Sequence, residues 1–287
     1  FFTDTLDGVQ IRFALWNCGH AKTAIIFPGR TEFIEKYGHA LRALLARGYN
    51  CVIPEWRGQG LSDRVIQHPP YGHVDDFRDY QKDLTAVLAH PVIAAMPKPE
   101  FLLAHSMGSL IALRSLSEGL PVKSAAFNAP MWGVGAHPTL SVFVLGAARL
   151  LDSLGKEKLP VPFSGREPYA LKHPFEGNVL TSDPEEYALL REILTSYPEL
   201  SVAPPTFKWL QEAADEIARL KPFKLPALPT VVLLGTDETV IDSAEVHRRS
   251  AESTHCTLSV LEGARHETFI EKPAIRAKAW QAIERIL

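Results

Sequence analysis

Phe101-Leu102-Leu103-Ala104-His105-Ser106-Met107-Gly108-Ser109 is the stretch that decides how this chain is read. An apolar, strand-like run enters it, and a helix-like stretch from Ser109 to Ser117 leaves it. A serine on a sharp strand-to-helix turn, with small residues two before and two after, has the makings of a nucleophile elbow. The neighbours must be small because the backbone at such a serine is strained and pressed against adjoining elements. The turn lifts the hydroxyl out of the sheet and aims the next N–H, that of Met107, at a developing oxyanion. Ser115-Leu116-Ser117-Glu118-Gly119 has the same spacing, but it lies inside a helical pattern with no strand before it.

Outward from this point the chain alternates strands and helices. Asp7-Gly8 between two β-prone runs predicts an opening hairpin. Short apolar strands are expected at Ala24–Phe27, Cys51–Ile53, Phe101–Ala104, Ala125–Ala129, Val231–Leu234 and Thr257–Leu261. Helical periodicity separates most of them, as at Phe33–Arg47, Phe77–Leu88 and Ser243–Ser253. That alternation implies a mostly parallel sheet covered by helices on both faces. The regularity breaks after Met131. A proline-rich region with helical pieces at Ser141–Leu154, Pro184–Ser196 and Thr206–Leu220, and no convincing strand, reads as a helical insertion. The expected division is a core over residues 1–130 and 226–287, with a cap over 131–225 at the carboxyl ends of the strands.

A serine needs a base, and the base needs a partner that fixes its tautomer. In this order of elements the acid should follow a later strand and the histidine the last one. Val231–Leu234 runs into Gly235-Thr236-Asp237-Glu238, which makes Asp237 the expected acid and Glu238 a less suitably placed neighbour. Asp242 opens the next helix, where capping suffices. His255 belongs at the opposite edge of the sheet and His247 to a helix, so His266 is the expected base. His105 is expected to shape the elbow. The loop Phe27-Pro28-Gly29-Arg30-Thr31 should supply a second oxyanion donor, the Arg30 N–H, beside that of Met107. The Arg30 side chain has two open roles: attracting an anionic head group, or pairing with Glu32 or Glu35.

Other chemistries find less support. A net charge of −3 and a pI near 6.4 indicate no extensive basic surface for nucleic acid. Cys18, Cys51 and Cys256 form no Cys-x-x-Cys pair, and they read as reduced thiols of a cytoplasmic protein. Arg57-Gly58-Gln59-Gly60 lacks the third glycine of a dinucleotide fingerprint and reads as a turn. His68 and His73 lack an evident third metal ligand. No apolar run reaches the length of a membrane span, and no signal peptide is visible. The chain opens on Phe1 without a methionine, which leaves room for a preceding piece.

With these residues in hand, the chain resembles the α/β-hydrolase superfamily, and within it the lysophospholipase L2 and monoacylglycerol lipase branch. The resemblance is carried by Pro28-Gly29-Arg30-Thr31-Glu32 with Glu35-Lys36-Tyr37, Trp56 to Ser62, and Gly72-His73-Val74 through Phe77 and Asp79-Tyr80. His105 to Gly108, Pro205 to Trp209, and Ala264-Arg265-His266-Glu267 complete it. The branch usually has glycine where Ala104 and Ser109 stand, and histidine where Pro28 stands. The resemblance implies an α/β-hydrolase fold, a Ser106–Asp237–His266 triad, a helical cap and hydrolysis of fatty-acid esters. The expected substrate is a lysophospholipid or monoacylglycerol, cleaved through an acyl-enzyme without cofactor or metal. A small-ester hydrolase or an acyltransferase on the same triad is the alternative, and a catalytically silent receptor a more distant one. Val142–Leu151 suggests an acyl-binding wall or, equally, a helix buried against its neighbours. If it touches lipid, it would lie on a bilayer as a peripheral contact.

Overall fold

The computed structural model describes residues 1–66, 70–133, 138–161, 165 and 167–287, with residues 138–144 described as helical backbone only. Its strands are β1 (Phe2–Asp4), β2 (Gln10–Trp16), β3 (Lys22–Phe27), β4 (Tyr49–Pro54), β5 (Tyr71–Gly72), β6 (Pro99–His105), β7 (Ser124–Asn128), β8 (Ala203–Pro205), β9 (Thr230–Gly235) and β10 (Cys256–Leu261). Its helices are α1 (Gly38–Leu45), α2 (Asp79–Ala89), α3 (Pro91–Ala94), α4 (Met107–Ser117), α5 (Pro138–Ser153), α6 (Tyr169–Lys172), α7 (Pro184–Ser196), α8 (Phe207–Leu220), α9 (Ser243–Ala251) and α10 (Pro273–Ile283). Eight strands form one sheet in the order β1-β2-β4-β3-β6-β7-β9-β10. The opening hairpin and the β2–β4 pair are antiparallel, and every later pair is parallel.

Both faces of the sheet are covered, which is why its strands read as unbroken apolar runs. Successive side chains go to opposite layers. Ile25, Phe27, Leu102 and Ala104 join α2, α4 and α8 on one side. Ala24, Ile26, Phe101 and Leu103 join α1 and α10 on the other. All eight of these strand residues are fully buried. The carboxyl ends of β3, β6, β9 and β10 therefore line up along one edge, where the loops after them meet.

The segment between β7 and β9 is helical, as its periodicity implies, but it is not free of strand. Ala203–Pro205 pairs in parallel with Tyr71–Gly72. Two of its three residues are prolines, which donate nothing to a ladder and so hide a strand from a propensity reading. The donors lie at and just beyond it: the Ala203 N–H bonds the Pro70 carbonyl and the Thr206 N–H that of Gly72. A third, smaller core of Tyr187, Leu190, Leu194 and Leu200 packs on Phe33 and Ile270, fastening the segment to the loops after β3 and β10. Arg64 adds bonds to the carbonyls of Glu199 and Ser201.

Candidate active site

Ser106 joins β6 to α4 with φ 49° and ψ −117°, a left-handed conformation that is costly for a residue with a side chain. The surroundings hold it there. A Cβ on Gly108 would lie 2.2 Å from the Phe27 carbonyl oxygen and 2.4 Å from that of Pro28, so only glycine lets α4 pass β3 at this point. Ala104 and Ser109 are fully buried, and neither methyl nor hydroxyl prevents the turn. The second serine motif forms no elbow. Ser115 lies within α4, its hydroxyl bonded to Gln81 Oε1 and the Ile111 carbonyl.

His266 follows β10 and places Nε2 2.9 Å from Ser106 Oγ. Its Nδ1 lies 2.7 Å from Oε2 of Glu238, not from Asp237. This corrects the expected acid. The Asp237 N–H is bonded to the Ala264 carbonyl, and its exposed side chain accepts a bond from the Thr236 hydroxyl. Thr236 and Asp237 form a turn at the end of β9, and Glu238 is the residue that leaves it. Glu238 turns inward, and its side chain is fully buried. Its other oxygen accepts the N–H groups of Val240 and Ile241. Burial opposes ionisation of Glu238, but the bond to His266 and these N–H groups outweigh it and hold its carboxyl below the usual range. With Nδ1–H donated to Glu238, Nε2 is left to accept the serine proton.

The loop after β3 is braced from several sides. The Trp56 indole N–H bonds the Pro28 carbonyl, and the Gly29 N–H bonds Glu32 and the Tyr37 hydroxyl. The Thr31 N–H bonds Gln59 Oε1, which gives the Arg57-Gly58-Gln59-Gly60 turn a bracing role. Arg30 is the second residue after Pro28 in this loop and lines the same cavity as Ser106. Met107 is the first residue of α4, so its N–H has no partner within the helix. The two donors expected from the sequence, the N–H groups of Arg30 and Met107, thus belong to the braced loop after β3 and to the first turn of α4.

Beneath His266 lies a group whose function is not evident in the sequence. Lys36 Nζ reaches Glu32 at 2.5 Å and Glu267 at 2.6 Å, and His105 Nε2 lies 3.0 Å from Glu267. The His105 and His266 rings are 4.8 Å apart. Burial disfavours the ion, yet His105 and Lys36 hold the Glu267 carboxyl well below its ordinary range. Burial also opposes His105, but Glu267 and Glu32 raise it above the ordinary imidazole range. Glu32, His105 and Glu267 are close enough to one another to hold a cation, and the Lys36 ammonium already bridges the two carboxylates. The position of Glu267, directly after the histidine, was the available signal. His73 is committed to Thr206 and Asp75, while His68 lies outside the described residues.

Ser106 and His266 open on a cavity of about 500 Å³ whose far wall is apolar, with Leu190, Leu194, Val202, Leu210, Ala213 and Ile217. All six of these residues come from the inserted segment. Leu145 of α5 also lines it, whereas the side chains of Val142, Phe143 and Val144 in the expected acyl wall lie outside the described residues.

Residues 19–273 match the family described as "Serine aminopeptidase, S33". The chain belongs to this family. It is 30% identical to lysophospholipase L2 of Escherichia coli (strain K12), over 97% of this chain and 84% of that protein. Among solved structures it resembles a soluble variant of monoglyceride lipase from Saccharomyces cerevisiae (TM-score 0.75, 18% identity, 99% of this chain and 92% of that one). The monoacylglycerol lipase of Paleococcus ferrophilus is similar at TM-score 0.74 and 18% identity, over 96% and 98% of the two chains. The order of strands and the elbow agree with the α/β-hydrolase fold of this family.

Exchanging the two adjacent acids separates their roles. Glu238→Gln is expected to lower kcat on a soluble ester by about 10³- to 10⁴-fold, and Asp237→Asn to leave it within about twofold. The reverse pattern would return the role to Asp237. Glu267→Gln leaves Lys36 and His105 short of a buried partner and is expected to cost about 3 kcal/mol, read from the urea midpoint. Because the Glu267 carboxyl is depressed, its contribution is present above the unfolded carboxylate range and lost as pH falls through the depressed value. The acid limb of the stability profile should therefore flatten in the variant.

Proposed function

We propose that the protein is a serine hydrolase that cleaves the ester of a single-chain lipid, a lysophospholipid or a monoacylglycerol. The observation that carries this reading is the Ser106–His266–Glu238 relay at the mouth of an apolar cavity. His266 removes the serine proton as Ser106 attacks the ester carbonyl, and Glu238 stabilises the imidazolium that forms. The N–H groups of Arg30 and Met107 hold the oxyanion, each worth on the order of 3 kcal/mol in the barrier. His266 then protonates the leaving alcohol and activates the water that hydrolyses the acyl-enzyme. The acyl chain occupies the apolar cavity, with residues 131–225 acting as the cap that selects it.

The family description names an aminopeptidase, and the cavity supports the ester reading over it. An aminopeptidase needs a carboxylate for the substrate's ammonium group. The carboxylates near Ser106, those of Glu238, Glu267 and Glu32, are already engaged by His266, His105 and Lys36.

The cap also supports peripheral contact with lipid. Leu150, Leu154 and Leu159 are exposed close to the basic residues Arg149, Lys156 and Lys158. No helix among the described residues is long and apolar enough to cross a membrane, so such contact would lie along the surface.

The reading is tested by hydrolysis of p-nitrophenyl esters from two to sixteen carbons with the wild type and Ser106→Ala. Activity should peak at medium or long chains and fall by at least about 10³-fold in the variant. Cleavage of acetate and butyrate alone would favour a small-ester hydrolase. Flotation with anionic vesicles checks the surface contact: Leu150→Glu/Leu154→Glu should reduce the bound fraction severalfold, and equal flotation would remove it.

A further inference from the structure

Among the described residues, one cation at the cavity has no counter-ion. The Arg30 guanidinium lines the same cavity as Ser106 and His266. Its Nη1 is buried without a hydrogen-bond partner among the described residues. Burial lowers the guanidinium to about 10, against the opposing pull of Tyr80.

The acids that the sequence offered to Arg30 are taken. Glu32 is held by Lys36, Tyr37 and the Gly29 N–H, and Glu35 by Arg12. Slightly farther along the chain, Glu55 pairs with Arg12 and Asp83 with Arg57. The other charged groups at the cavity are internally matched: Lys36 and His105 with Glu267, and His266 with Glu238. A desolvated cation without a partner is unfavourable, so its retention suits a site that an anion completes.

Two residues outside the catalytic relay hold this guanidinium in place. Its carbon lies 5.3 Å from the centre of the Trp209 ring, and the indole N–H of Trp209 bonds the Tyr80 hydroxyl at 3.2 Å. Gly72 also lies against the guanidinium, since a Cβ there would stand in ordinary contact with Nη1 at 3.5 Å. Gly72 and Trp209 belong to sequence motifs that the relay leaves without a role. A planar fork stacked on an aromatic face is the arrangement in which arginine recognises phosphate oxygens.

We propose that Arg30 is the anchor for the phosphate of a lysophospholipid, so that the site prefers this substrate to the uncharged monoacylglycerol. The inference rests on the lipid-ester reading above. The Arg30 N–H meets the ester oxyanion, and its side chain extends from that same point. In a 1-acyl lysophospholipid the phosphate stands one glycerol length from the ester carbonyl, a span that an arginine side chain matches.

The experiment compares 1-lauroyl-lysophosphatidylglycerol with 1-lauroylglycerol below their micellar concentrations, using wild type, Arg30→Met and Arg30→Lys. The ratio of kcat/KM for the phospholipid over the glyceride should fall at least about tenfold in Arg30→Met, chiefly through KM, with partial recovery in Arg30→Lys. An unchanged or increased ratio overturns the anchor while leaving the lipid-ester reading intact. A wild type that cleaves neither lipid overturns both. Should Arg30→Met not fold, inhibition of butyrate-ester hydrolysis in the wild type decides. Dodecyl phosphate must then bind at least about tenfold tighter than dodecanol, and equal inhibition rejects the anchor.

Discussion

The Lys36 ammonium, bonded to Glu32 and to Glu267, is the interaction on which the geometry of the site depends. Glu32 also holds the Gly29 N–H, next to the proposed donor Arg30, and Glu267 is the neighbour of His266. Through His105, which precedes Ser106, the same group reaches the elbow. Three loops from distant parts of the chain are thus tied at one buried point. Each carries one part of the chemistry: an oxyanion donor, the nucleophile or the base.

Such a group must be complete to be tolerable. Taking ions out of water costs several kcal/mol each, and only mutual pairing offsets it. Two carboxylates, an ammonium and a histidine raised toward its charged form come close to neutrality below His266. Breaking one contact exposes the others to the full desolvation cost, which favours all three loops ordering together. The inserted segment adds to this coupling. The His266 and Glu267 N–H groups bond the Val179 and Leu180 carbonyls, and Glu271 accepts the Arg265 and Ser182 N–H groups.

The fold was legible because a sheet buried on both faces leaves continuous apolar runs and because turns carry Gly and Asp. Ser106 and His266 were legible for a related reason, since each sits just past such a run. Glu238 was not. Choosing it over Asp237 depends on the turn after Gly235, where the Asp237 N–H is tied to the Ala264 carbonyl of the neighbouring loop. A pattern read along one strand holds no information about that neighbour. The short strand at Ala203 was masked by its prolines. The charge cluster was hidden because bonded members such as Lys36 and Glu267 are 231 positions apart, and only close packing reveals which acids meet which bases.

Charge matching also explains how one cavity can hold both a fatty chain and a polar head. Below Ser106 the described ions Glu32, Lys36, His105, Glu267, His266 and Glu238 are paired with one another, so the field reaching the cavity from that side is weak and the proposed acyl chain would meet little penalty along the leucine-lined wall. Arg30 stands apart from this compensation, against an aromatic ring that offers only a partial counter-charge. The cavity thereby acquires a direction. Under the proposed anchor, an uncharged chain would lose nothing by avoiding Arg30, whereas an anion would gain by approaching it, and the ester between the two would be brought to the serine.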